Sequence, residues 1–546
     1  MRRTFSVLTI ALVVVAAGAV AGSAATPTPP PTKQQIAQKI LDSRALLTGQ
    51  ARAALEMVAH ANQHFDQNSA QARGPAAKLS QGGDAPGAKQ FTNVAVSNPA
   101  EDTHELDQTT QSETSIAVSG LNVAVGFNDS QTTGLFLTSG SNISGYSYST
   151  DGGQTFTDGG AVPQTPGTNN FGDPWLASDS NGNMYYAQLV LNLADELDNN
   201  RFGLDVGVSR SSDGGKTWTA PVLASNRLAS PGGFYLGDKD AMAVGPAPSG
   251  RGTNLYVAWD DQAFDPSTGQ FYLGLPVAHS SDGGNTWTVS YADKLTPGPG
   301  CSFAQYIGAQ PIVAKDGTLY VAAVKISVDD PNCTGAPVQF SEYSFKSGDG
   351  GQTFGAGVKI ADVTSSTPNP ICSCFKLGPG MYMRNLEFPS LAFARNALYA
   401  TWNDGGDGSG HSHIRLAQST DGGQTWSTSF VTSGNNDELQ PVASGDSAGL
   451  HILYYQRNRD NTLDVNVSNS TGGGFTKARV TSQSFPGVLN FPNFDPIIAW
   501  TYMGDYIANV TDGKNQYFAW GDNRNLVTNF LYPQGRHDPD VFFAKQ

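Results

Sequence analysis

Charge is scarce in this chain. Only 14% of its 546 residues are Asp, Glu, Lys or Arg, and the basic ones are fewer, 32 against 47, for a formal net charge of −15. An acidic surface of this kind excludes nucleic acid and anionic lipid as main partners. Long apolar runs are missing too: after residues 7–20 no segment is apolar enough to span a bilayer. Cysteine is limited to Cys301, Cys333, Cys372 and Cys374, with no pair at zinc-site spacing. There is no Walker loop, no Rossmann glycine fingerprint, and no Gly-x-Ser-x-Gly elbow between a strand and a helix. What the chain does have is 62 Gly, 31 Pro and 10% aromatic residues. That composition suits many short strands joined by tight turns, in a chain long enough for a large core.

The first 25 residues read as an export signal. Arg2 and Arg3 precede the apolar run 7–20, and small residues follow at 22–25. Its removal takes the net charge from −15 to −17, because two arginines leave. The mature chain is expected outside the cell or in a periplasm, with no transmembrane segment. Four cysteines in an exported chain read as two disulfides. A Cys372–Cys374 bridge would close a strained ring, so the favoured pairing joins both of these to Cys301 and Cys333. Residues 26–89 divide into a proline-rich spacer, a helix over 33–66 with Ile36, Ile40, Leu47, Leu55 and Val58 on one stripe, and a polar linker. Residues 90–546 form the main domain.

An eight-residue phrase organises that domain. It occurs at 149–156 (STDGGQTF), 211–218 (SSDGGKTW), 280–287 (SSDGGNTW), 347–354 (SGDGGQTF) and 419–426 (STDGGQTW), with a worn copy at 468–475 (SNSTGGGF). The aspartate can accept N–H groups of its own turn, the glycines permit positive φ, and the aromatic seals the turn from below. Ser470 stands where the sixth copy should carry Asp. This phrase is the Asp-box, or BNR repeat, and through it the chain resembles the sialidase-like β-propeller superfamily, in which the box is structural. The resemblance implies an all-β fold of four-stranded blades. Seven strand openings, each ending in an aliphatic-Ala step, point to a seven-bladed β-propeller. The seventh unit ends after three strands, at DPDVFFAKQ, so the segment 91–97 (FTNVAVS) is expected to supply its fourth strand and close the ring, removing a free sheet edge.

The propeller expectation also sorts candidate residues. Entries to first strands and exits from second strands share one face. The phrases FND, WDD, WND and WGD repeat there, so Asp129, Asp261, Asp404 and Asp522 read as turn architecture. Non-repeating residues are the functional candidates. Tyr506, Glu438, Asp173 and Glu113 are the catalytic candidates, and Arg384, Arg457, Arg524, Asp505 and Glu387 the substrate-binding ones. The resemblance implies three arginines clamping a carboxylate, a Tyr nucleophile assisted by a Glu, and an Asp acid/base. The superfamily's first-blade Arg-Ile-Pro motif is absent, with 113–117 (ETSIA) in its place. His411 and His413, near Asp404 and Asp407, have zinc-ligand chemistry but read better as a polar loop. No cofactor and no metal is expected. The function expected is that of a secreted propeller acting on extracellular glycans, a glycoside hydrolase of the exo-sialidase type. The alternative is a non-catalytic propeller binding a glycan or protein. A monomer is expected.

Overall fold

A computed structural model describes residues 91–101, 110–130, 142–192, 202–225, 234–265, 268–366, 374–378, 381–470, 472, 474–489, 503–528 and 536–546. The expected signal, spacer and helix at 1–89, and Cys372, lie outside them. Among the described residues the protein is all-β, with a single 3-10 turn at Pro99–Glu101.

The strands group into seven antiparallel meanders, at 111–161, 175–223, 234–295, 303–363, 390–430, 437–479 and 508–545. In the seventh, Val94 and Ala95 pair with Phe543 and Phe542, so the start of the domain lies beside its end. The first strand of each meander packs against the first strand of the next, and Ala508–Thr511 packs back on Gln111–Ser119. Hydrophobic cores sit between neighbouring sheets. Between the first and last, Ile116, Val125 and Phe127 meet Tyr517, Ala519 and Phe543. Trp259, Trp402 and Trp520 are wholly buried; burial of one such side chain contributes on the order of 2–3 kcal/mol.

The second and third meanders are fused. Phe202–Leu204 and Phe234–Leu236 pair in parallel, giving one nine-stranded sheet. The two 13-residue strands Phe234–Pro246 and Thr253–Asp265 make this part of the wall tall. A separate small sheet joins Cys374–Gly378, Met381–Arg384 and Val488–Leu489.

The five intact phrases fold alike. In each, the serine hydroxyl donates to the aspartate at 2.7–2.8 Å. The threonine donates to the same carboxylate twice, its N–H at 3.0 Å and its hydroxyl at 2.5–2.7 Å. The second glycine, at φ 82–86°, donates its N–H back to the serine at 2.8–3.0 Å.

The disulfide pairing differs from the one the sequence favours. Cys301 bonds to Cys333, so Cys372 and Cys374 do not take these two partners. The hairpin explains why. Phe303 pairs with Val328, which brings the chain just outside each strand together. There the N–H groups of Cys301 and Cys333 both donate to the carbonyl of Asp330, at 2.9 and 3.2 Å.

Candidate functional site

Each first strand has, within it or just before it, a residue in the left-handed region. The seven are Glu113, Asp173, Lys239, Gly308, Glu387, Gln440 and Gly504, with φ between 44° and 87°. At four of them the strand register slips, between Ser112 and Ser115, Asp238 and Ala241, Ile307 and Gln310, and Leu439 and Val442. A bulge of this kind re-aims side chains, and a non-glycine residue held there carries strain that functional sites often store. Glycine is required at 504, where a Cβ would come within 2.6 Å of the Glu113 nitrogen.

The side chains so aimed converge. Asn128 donates to Glu113 Oε2 at 2.8 Å, and the N–H of Asp505 donates to Glu113 Oε1 at 2.9 Å. Beside Glu113, burial pushes the Asp173 carboxyl well above its ordinary range, and the charges of Glu113 and Asp238 add to the effect. Burial likewise raises Asp240 and Asp260 well above theirs. Desolvation also lifts Asp505, to about 7, against the pull of Arg384, whose Nε lies 3.3 Å away. That approach is an ion pair without hydrogen-bond geometry, since neither Asp505 oxygen has a donor. Lys239 is 3% exposed. Its ammonium lies 3.8 Å from the centre of the Tyr506 ring and 4.7 Å from that of Trp175, and it donates to the Asp240 carbonyl at 3.3 Å.

A cavity opens over this cluster, about 30 Å³ of it reachable by water. Its wall includes Trp175, Phe388 and Tyr506 as aromatic faces and Glu387 and Asp505 as carboxyls. Glu387 sits in surroundings unlike those of Asp505. Its Oε1 accepts from the Ser365 hydroxyl and the Ser366 N–H, each at 2.9 Å, an arrangement that suits a carboxylate.

The structure thus brings together Glu113, Asp173, Arg384, Glu387, Asp505 and Tyr506. It gives Tyr506 a different partner from the expected Glu: its hydroxyl donates to the Pro174 carbonyl at 3.0 Å, and its ring supports Lys239. Glu438 belongs to another network. It accepts from Thr432 at 3.0 Å and lies 3.8 Å from His413 Nε2, and burial lifts it to about 7. The three arginines face different carboxylates. Arg384 faces Asp505; Arg457 is bound to Asp437; Arg524 is bound to Asp522, Asn93 and Ser482.

Two of the repeated acids, Asp404 and Asp522, are tied into the scaffold. Trp402 and Trp520 donate their ring N–H to Asp404 and Asp522, at 3.1 and 2.9 Å, and Arg415 and Arg524 bind the same two carboxylates. His413 is tied to Asp407 and His411 to Asp437. Among the described residues no group of three or more His, Cys, Asp or Glu is arranged to hold a metal ion. Sequence reasoning passed over Lys239, Asp240 and Asp260 as site residues. The signal for Lys239 was positional: it stands three residues ahead of the step Met242-Ala243, as Glu113 and Asp173 stand ahead of Ile116-Ala117 and Leu176-Ala177.

No family model matches this chain, and no curated protein does. Several solved structures are similar. A phage phi92 endosialidase matches with 10% identity, covering 84% of this chain and 69% of its own, at a TM-score of 0.40. A Trypanosoma rangeli sialidase matches with 15% identity over 71% of this chain and 56% of its own, at 0.36. An α-L-arabinofuranosidase from Fusarium graminearum, in complex with an iminosugar inhibitor, matches with 11% identity over 84% and 98%, at 0.39.

Proposed function

We propose that the seven meanders are the blades of one Asp-box propeller, sealed by the strand at 94–95, and that the protein is an exported glycoside hydrolase working in the central cavity. The observation that carries the reading is the pair of wall carboxyls in unlike surroundings. Asp505, buried and lifted to about 7, can hold a proton near neutrality. Glu387, supplied with donors, has the surroundings of a carboxylate. Two carboxyls whose environments differ in this way divide the roles of acid and base. Asp505 gives its proton to the glycosidic oxygen as the C–O bond breaks, and Glu387 takes the proton of the water that attacks the anomeric carbon. Trp175, half-buried on the wall, offers a face on which a sugar ring can stack. With Arg384, Arg457 and Arg524 each engaged separately, the exo-sialidase form of the reading lacks its carboxylate clamp. Export is supported by the disulfide, and no described helix is long and apolar enough to cross a membrane.

The test is turnover of a panel of aryl glycosides by the full exported chain and by Glu387→Gln and Asp505→Asn. Each substitution is expected to lower kcat by roughly 10²–10⁴-fold. Asp505→Asn should be largely spared on dinitrophenyl glycosides, whose leaving group needs no proton. Variants as active as the parent would refute the assignment. A non-catalytic glycan-binding propeller is the second reading, favoured by how completely the wall carboxyls are buried. It predicts binding without turnover in the parent protein.

A further inference from the structure

We infer that the cavity takes an uncharged or amino sugar and turns away sugars bearing a carboxylate. The inference rests on the reading that this cavity is the glycan site and narrows it to a substrate class.

Three observations carry it. First, carboxyls crowd the region. Glu387 and Asp505 are on the wall, and Glu113, Asp173, Asp238 and Asp240 lie in and around the cluster beneath. Burial already disfavours charge on Asp173, Asp240 and Asp505, and a ligand carboxylate brought to the same place would bear the same desolvation cost. Second, both cations of the cluster are engaged. Arg384 faces Asp505, and Lys239 lies against the rings of Tyr506 and Trp175 with the carboxyls of Asp173, Asp240 and Asp505 around it. Third, the polar atoms left over on wall residues are acceptors. Gln440 donates both its amide hydrogens to carbonyls, of Arg384 and Gly504 at 2.8 Å each, so its Oε1 has no donor. Asn403 donates to Ser366 at 3.0 Å, and its Oδ1 has none. The two oxygens of Asp505 have none. Oxygens without donors keep their partial negative charge beneath the wall, which adds to the cost of bringing an anion there. A neutral or cationic sugar meets no such penalty.

Matched sugar triplets test this on the purified full chain. Methyl glycosides of the neutral hexose, the 2-amino-2-deoxyhexose and the hexuronate are compared in the gluco, galacto and manno series, with binding read by calorimetry and cleavage by product analysis. In at least one series the neutral or amino sugar is expected to bind at least about tenfold more tightly than its uronate. A uronate or sialoside binding as tightly as its neutral counterpart overturns the inference, with Lys239→Met then expected to abolish that binding. Failure of every saccharide to bind at millimolar concentration also overturns it. Tight neutral binding without cleavage leaves the inference standing and removes the hydrolase reading. Cleavage confined to anionic sugars does the reverse.

Discussion

At the residue scale, the two kinds of aspartate in this protein answer pH in opposite ways. In the turn at 347–354, the hydroxyl and then the N–H of Thr353 hold Asp349 down to about 2. Its folded value lies below the ordinary one, so its contribution is present above about 4 and is lost as pH falls through about 2. Asp349→Ala should lower the Tm by a few degrees at pH 6, with the gap to the parent closing below pH 3, as read by a thermal melt. Asp505 has the reverse sign. Burial lifts it to about 7, so the stability linked to it is full below about 4 and is lost as pH rises through 7. Glu438 and Asp540, both raised to about 7 by burial, act in the same direction. The Tm of the parent should therefore fall between pH 5 and pH 8, and Asp505→Asn should flatten that fall. An unchanged slope would show that Asp505 does not hold a proton in the folded protein.

At the scale of elements, the worn sixth phrase shows what the others rely on. Without the aspartate, its turn is fastened from outside. Arg395, on the neighbouring sheet, reaches the carbonyl of Ser470 at 3.4 Å and is itself anchored on the adjacent turn by two bonds to the carbonyl of Ala448, at 2.6 and 3.0 Å. Arg395→Ala should cost about 1 kcal/mol in a denaturant titration. The hairpin closed by Cys301 and Cys333 is a second fastening. Their separation of 32 residues puts the chain-entropy loss on replacing both by Ser at roughly 3–4 kcal/mol. Here the sequence misled, because spacing along the chain says nothing of which strand ends the hairpin brings together. The turn phrases themselves were legible, since each is closed by hydrogen bonds among neighbours no more than four residues apart.

At the scale of the whole molecule, the seam between the two ends of the domain is the feature to break. Ser97 donates to Asp540 at 3.2 Å, and the N–H of Val541 donates to the Ser97 hydroxyl at 3.0 Å, beside the pairing of Val94 with Phe543. Removing residues 1–98 should lower the Tm and promote association through the bared edge, by comparison with removal of 1–89 alone. Melting and size-exclusion profiles of the two truncations decide it; identical profiles would mean that the seam adds nothing.

The sequence by itself determined an all-β chain of short strands and the form of its repeated turns, because those depend on residue conformation and on bonds among near neighbours. It also singled out Glu113, Asp173, Glu387, Asp505 and Tyr506 as residues standing apart from the repeat. Only the tertiary structure decided that these share one cluster with Lys239, that Glu438, Arg457 and Arg524 are engaged elsewhere, and that Tyr506 serves Lys239 with its ring. The reason is physical. A carboxyl's proton affinity is set by the water it loses and the charges it gains, and both come from sheets that lie far apart in the chain and meet only when they pack.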